Sequence, residues 1–272
     1  MTTGAARTPV TTPRSRNRLH ALRALAAVAA LLAWHVAATV PVAGGYLLPR
    51  DMVSTPLDVG GRVWSMFATG MIWKHLGVTL AETVLSFGVG AAGGLAWGLW
   101  FARRPHADAA NEPAATMANA LPWIVLAPLF VLWLGLGLWS KVALGAVLVF
   151  VFVAFDIARA VREVSPMVIA NARMLGMGER QLLRHVYWPS ALSRLVSSLH
   201  RSAGLAFVGA VVGEYLGAKA GLGHLVRRAE GATDATGVFA GLIVLAVLVL
   251  AMGRAIATVE RRLLPWRPRA VA

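Results

Sequence analysis

Six stretches of apolar, almost uncharged residues divide this chain, at roughly 22–40, 76–101, 120–139, 142–161, 199–217 and 237–256. Each comes close to the twenty or so helical residues that cross the hydrocarbon layer of a bilayer. Lipid offers the backbone no hydrogen-bond partner except itself. The reading is therefore an all-α integral membrane protein with about six transmembrane helices. Composition supports this, since only 14% of residues are charged and 58% are apolar, against about 25% charged in an ordinary soluble domain. Between the third and fourth spans stand only Ser140 and Lys141, which read as a tight hairpin.

Six alternating spans put both termini on one side. If that side is the cytoplasm, the segments 1–23, 102–119, 159–201 and 254–272 face inward and hold 5, 2, 7 and 5 Lys or Arg. The outer side keeps seven: Arg50, Arg62, Lys74, Lys141, Lys219, Arg227 and Arg228. Basic residues favour the inside of a membrane protein, so both termini are read as cytoplasmic. The net charge of +14 then reflects topology, and nucleic acid is not expected as a partner. Residues 14–40 loosely resemble a signal peptide, but the apolar run exceeds the usual 7–15 residues, so the helix is read as retained.

Enzyme signatures are missing. The three lysines are followed by His75, Val142 and Ala220, which excludes a Walker-type phosphate loop. No serine has G-x-S-x-G surroundings, and no histidines have H-E-x-x-H spacing. There is no cysteine, hence no disulfide or thiolate metal site. No catalytic residue, metal or cofactor is expected. The stretch Gly88–Gly93 matches G-x-G-x-x-G but lies inside an apolar span. There Gly90, Gly94 and Gly98 are better read as a face for close helix packing.

Three acids fall within spans: Glu82, Asp156 and Glu214. Such residues are costly in lipid and face a partner or a wet cavity. Two readings stand. One is a polar path or ion relay. The other is a place near the wet ends of their helices, with Arg159 one turn from Asp156 as its partner. Thr79, Thr83, Ser86, Trp97 and Trp133 are further candidates for the wall of a path.

The longest interior connection is unlike the rest: "SPMVIANARMLGMGERQLLRHVYWP", residues 165–189. Ser165 and Pro166 suit a helix start, and Gly176 and Gly178 suit a stop and turn. A second helix over 179–188 puts Leu182, Leu183 and Val186 on one face and Glu179, Arg180 and Arg184 mainly on the other. Pro189 is expected to break or redirect the chain. The product is a helix–turn–helix across the cytoplasmic mouth, with Met177 as its exposed tip. It either rests on the membrane surface or docks an apolar tip into a partner's groove.

The same stretch resembles the cytoplasmic signature of ABC importer permeases, E-A-A-x3-G-x9-I-x-L-P. Ala172, Gly176, Val186 and Pro189 match at the right spacing, whereas Ala170, Asn171 and Trp188 replace the family's Glu, Ala and Leu. "APLFVLWLGLGLWSK" (127–141), "GEYLGAKAGLGHLV" (213–226) and, more loosely, "LLPRDMVSTPLDV" (47–59) resemble the nitrate/sulfonate/taurine branch. The resemblance spans about 40–265.

The resemblance implies a non-catalytic membrane subunit working as a homodimer in the bacterial inner membrane. Cytoplasmic ABC ATPase subunits would dock on Ala172, Arg173, Leu175, Gly176, Met177, Gly178, Val186 and Pro189. An extracytoplasmic binding protein would deliver a small organic anion such as an aliphatic sulfonate, taurine or nitrate. Uptake of a thiamine precursor or another small organic molecule is the alternative. A membrane enzyme lacks converging catalytic groups, and a secondary transporter would show paired broken helices. The organisation expected is a disordered basic tail over 1–20 and a first helix with outer loop over 21–75. A five-helix core follows over 76–258, with coupling segment 162–198, and then a basic tail over 259–272.

Overall fold

The computed structural model describes residues 13–42, 45–46, 52–104, 113, 115–118 and 120–263. Residues 1–12 of the tail expected over 1–20, residues 264–272 of that expected over 259–272, and residues 47–51 of the first outer loop lie outside the described residues. Among the described residues the chain is helical, apart from a two-residue antiparallel pairing of Pro41–Val42 with Gly45–Tyr46.

Helix α1 (Pro13–Thr39) starts within the segment expected as a tail. Ala38 near its end is buried, and Trp34 packs on Phe239 at 5.4 Å between ring centroids. Helix α2 (Pro56–Ala68) lies in the expected outer loop and was not anticipated there. It is capped by the Thr55 hydroxyl, which accepts from the Asp58 N–H at 3.2 Å, with Pro56 in its first turn. Its buried Val59 and Met66 belong to an apolar cluster with Ile72, Leu222, Leu225, Ala240 and Val244.

The core is built on α3 (Met71–Phe101), α5 (Leu138–Arg162) and α9 (Leu199–Gly217). The stripe read from sequence is the seam between α3 and α5. A Cβ on Gly90 would come within 2.5 Å of the Ala146 carbonyl oxygen; on Gly94, within 2.9 Å of that of Phe150; on Gly98, within 2.6 Å of that of Ala154. Both series ascend together, so α3 and α5 run parallel, and residues 102–137 must return along their length.

That return differs from the expected 20-residue third span. Within it a 3-10 turn (Trp123–Leu126) runs into α4 (Ala127–Leu134), an apolar helical stretch of twelve residues, or about 18 Å. Pro122 and Pro128 restrict its start, and Gly135, with φ +74°, ends it. Among the described residues five helices are long and apolar enough to span a membrane. The turn after α4 falls at Gly135–Gly137, and Ser140 and Lys141 lie inside the first turn of α5 rather than forming the hairpin.

Beyond α5 come α6 (Pro166–Met174) and α7 (Glu179–Leu182). A π turn (Leu183–Tyr187) and α8 (Trp188–Ser197) then lead directly into α9. Helix α10 (Leu222–Gly231) folds back against α9, and α11 (Ala235–Leu263) completes the bundle.

Candidate functional site

Three regions hold the residues singled out in the sequence. The first is the turn between α6 and α7. Gly176 takes φ +83°. Its N–H donates to the Arg173 carbonyl at 3.0 Å, and the Met177 N–H donates to that of Ala172 at 3.1 Å. This six-to-one and five-to-two pair is a Schellman stop, which brings an apolar residue after the glycine onto the preceding turn. Met177 is therefore half-buried against the cluster containing Ala172, Ile157, Val161 and Leu182, not an exposed tip. The exposed apolar residues are Met174 and Leu175, each 80% exposed.

Other expectations for this segment stand differently. The Gly178 N–H is held by the Gln181 side-chain oxygen at 3.0 Å, and Arg173 pairs with Glu179 at 2.9 Å across the turn. Leu182 is fully buried, and Leu183 and Val186 pack beside it, as the helical spacing required. Pro189 does not break the chain. It sits in the first turn of α8 directly after the π turn. That wider turn sits where the proline ring would otherwise meet the carbonyl one turn back.

The second region is a buried polar knot between the first halves of α3 and α5 and the last turn of α9. Thr79, Glu82, Thr83 and Ser86 share one face of α3 and are at most 3% exposed, and Glu214 of α9 is completely buried. The Thr79 hydroxyl donates to Glu214 Oε1 at 2.6 Å and accepts from the Leu222 N–H at 2.9 Å. The Gly223 N–H donates to Glu214 Oε2 at 2.7 Å. Lys141, 2% exposed, donates to the carbonyls of Leu136 and Gly137 at 2.6 and 2.8 Å and interacts electrostatically with Glu82 and Glu214. Glu82 Oε2 is buried without a hydrogen-bond partner among the protein groups.

Glu82 and Glu214 thus do not lie in water at helix ends. Sequence reasoning missed Lys141 as their companion, although a lysine just past a Gly-x-Gly turn between two apolar spans was the available signal. Trp97 is part of an aromatic stack with Phe101, Phe150 and Phe155. Trp133 is 66% exposed on α4.

The third region is the opposite end of the bundle, where α5 meets α8. Asp156 pairs not with Arg159 but with Arg194 of α8, through bonds of 2.8 to 3.1 Å; Arg159 is exposed. Nearby, a cavity of about 640 Å³ opens between α5, α9 and α11, lined by Leu148, Phe152, Phe207 and Met252 with His200 and Arg201 among its polar groups. The Arg201 guanidinium sits 4.9 Å above the Phe152 ring. None of the residues expected for a path lines this cavity.

A family model described as "binding-protein-dependent transport system inner membrane component" matches residues 94–265. The chain belongs to that family. This inner membrane component is 31% identical over 236 residues to a riboflavin transport system permease protein of Chloroflexus aurantiacus, covering 87% of this chain and 86% of that one. It is 30% identical to a formylaminopyrimidine transport permease protein of Halalkalibacterium halodurans, covering 88% and 93%. To a putative aliphatic sulfonates transport permease protein of Bacillus subtilis it is 28% identical, covering 93% and 90%. In fold it is similar to a chain of the MetNI methionine ABC transporter in an inward-facing form, with a TM-score of 0.59 and 23% identity over 70% of this chain and 95% of that one.

The resemblance read from the signature is thereby established at the level of the ABC importer permeases. The chain is a multi-pass, non-catalytic inner membrane subunit with a permease role. ATP hydrolysis belongs to a separate ATPase, and a substrate-binding protein is its other partner.

Proposed function

We propose that this permease works as a homodimer with both termini in the cytoplasm, and that residues 166–189 are where each copy docks one ATPase. The observation carrying this reading is the α6–α7 turn. Met174 and Leu175 are 80% exposed, while Ala172, Met177 and Leu182 anchor the same turn to the core. An apolar tip on a rigid base suits a protein groove, where a small buried anchor supplies much of the affinity. The family's glutamate is Ala170 here, so docking relies on shape and apolar contact more than on a salt bridge at that position. ATP and loaded binding protein then bias the pair between inward-open and outward-open packings.

The cargo proposed is a small organic anion, such as an aliphatic sulfonate, taurine or nitrate. The sulfonate relative supports it, as does the apolar inner cavity with Arg201 among its lining residues. Uptake of a heterocyclic vitamin or its precursor is the alternative, supported by the riboflavin and formylaminopyrimidine relatives.

The chain has no cysteine, so one introduced thiol is a clean probe. Leu175→Cys is expected to crosslink to the ATPase in membranes holding both subunits, and the yield should respond to ATP. Absence of a product at 174 and 175, with the complex assembled, would return the segment to a helix pair lying on the membrane surface.

A further inference from the structure

The docking segment is joined to the membrane core at two places, the end of α5 and the start of α8. Among the described residues an ion pair links the last two turns of α5 to the last turn of α8. Arg194 Nε donates to both carboxylate oxygens of Asp156, at 3.0 and 3.1 Å, and Arg194 Nη2 donates to Oδ1 at 2.8 Å. The Asp156 side chain is only 14% exposed and that of Arg194 is 40% exposed. A planar guanidinium gripping a carboxylate through several bonds fixes direction as well as distance. The pair therefore closes a ring: α5, the docking helices, α8, and back to α5.

The surroundings give the pair its mechanical weight. One face of α8 packs through Ala191 into the cluster of Ile157 and Val161. Beside that contact a polar cleft of about 350 Å³ separates the two helices, lined by Glu163, Ser190, Ser193, Arg194 and Ser197. Among the described residues another polar contact on this side runs from the Ser190 hydroxyl to the Ala160 carbonyl, a loose 3.5 Å. Along this polar edge the ion pair is the shortest tie between α8 and α5 among the described residues. Partly exposed ion pairs contribute little to stability, so the expected role is geometric and neutral variants should fold.

We propose that Asp156 and Arg194 are positioning residues that make α5 move with the docking segment, so that displacement of residues 166–189 by the ATPase passes into α5 and across its glycine seam into α3. The proposal rests on the docking reading above. It concerns how motion is passed on, not where the ATPase binds.

The test uses the full permease–ATPase complex in proteoliposomes, with Leu175→Cys reporting docking and, in a separate chain, Arg159→Cys reporting α5. Labelling of Arg159→Cys by a water-soluble maleimide is compared without nucleotide and with ATP plus vanadate. In the parent the rate is expected to change at least about threefold, as for a helix that moves between two packings. In Asp156→Asn and in Arg194→Gln the Leu175→Cys crosslink persists, but the nucleotide response falls below about 1.5-fold. Arg194→Lys, which keeps one charged bond, recovers part of it.

A full response in both neutral variants overturns the proposal, as does a parent in which α5 shows no response. Loss of the crosslink together with complex assembly in both variants also overturns it, by making the pair a structural tie. Absence of the crosslink in the parent instead sinks the docking reading itself.

Discussion

At Gly221 two demands meet. Its φ is +116°, a conformation that residues with a side chain rarely adopt, and a Cβ there would overlap the Glu214 carboxyl. Gly176 also has a positive φ, but a Cβ on it would meet nothing within 4 Å. Gly221→Ala is therefore expected to cost about 3 kcal/mol or more, from strain and overlap together. Gly176→Ala should cost about 1 kcal/mol from strain alone. The fraction of detergent-purified protein that stays monodisperse after heating measures both, and equal losses would contradict the argument. Sequence reading marked Gly176 through the docking signature, and placed Gly221 only within a family-like stretch. What makes Gly221 indispensable is Glu214, seven residues earlier, and that contact depends on α10 folding back, which no local pattern announces.

Elements were legible in proportion to how far lipid dictates them. The long spans appear because uninterrupted apolar helices are the solution a bilayer permits, and the Gly90–Gly94–Gly98 stripe announced close packing before its partner was known. Replacing Gly94 with Leu should force α3 off α5, since even a Cβ would stand 2.9 Å from the Phe150 carbonyl oxygen. Overpacking of this kind costs about 1–3 kcal/mol. The expected outcome is less than half the parent yield of folded permease after purification, and parent-level yield would show that the seam can open. The short α4, the amphipathic α2 and the returning α10 were not legible. Two prolines and a glycine truncate α4, while α2 and α10 owe their places to the shared cluster around Val59 and Leu222. Met177 was misplaced for a related reason. Its exposure was judged from its position at the turn, but a Schellman stop folds that side chain inward.

For the whole molecule, the clearest prediction concerns sidedness. Lys219 is exposed just beyond the end of α9, and Leu175 is exposed at the α6–α7 turn. With cytoplasmic termini, a membrane-impermeant maleimide should label Lys219→Cys in intact cells. It should label Leu175→Cys only after the membrane is inverted or opened, and the reverse pattern would overturn the assignment. The buried polar knot also constrains how the chain is made. Glu82 leaves the ribosome 59 positions before Lys141 (141 − 82) and 132 before Glu214 (214 − 82). At about 5–20 residues per second, α3 waits about 3–12 seconds for its lysine. During that interval a carboxyl, a kind of group that costs about 2.5–3.5 kcal/mol at the centre of a bilayer, has no native companion. A nascent chain arrested before residue 141 would thus be a natural client for the membrane's insertion chaperones and proteases. The knot that holds the finished bundle together would also mark an unfinished one for disposal.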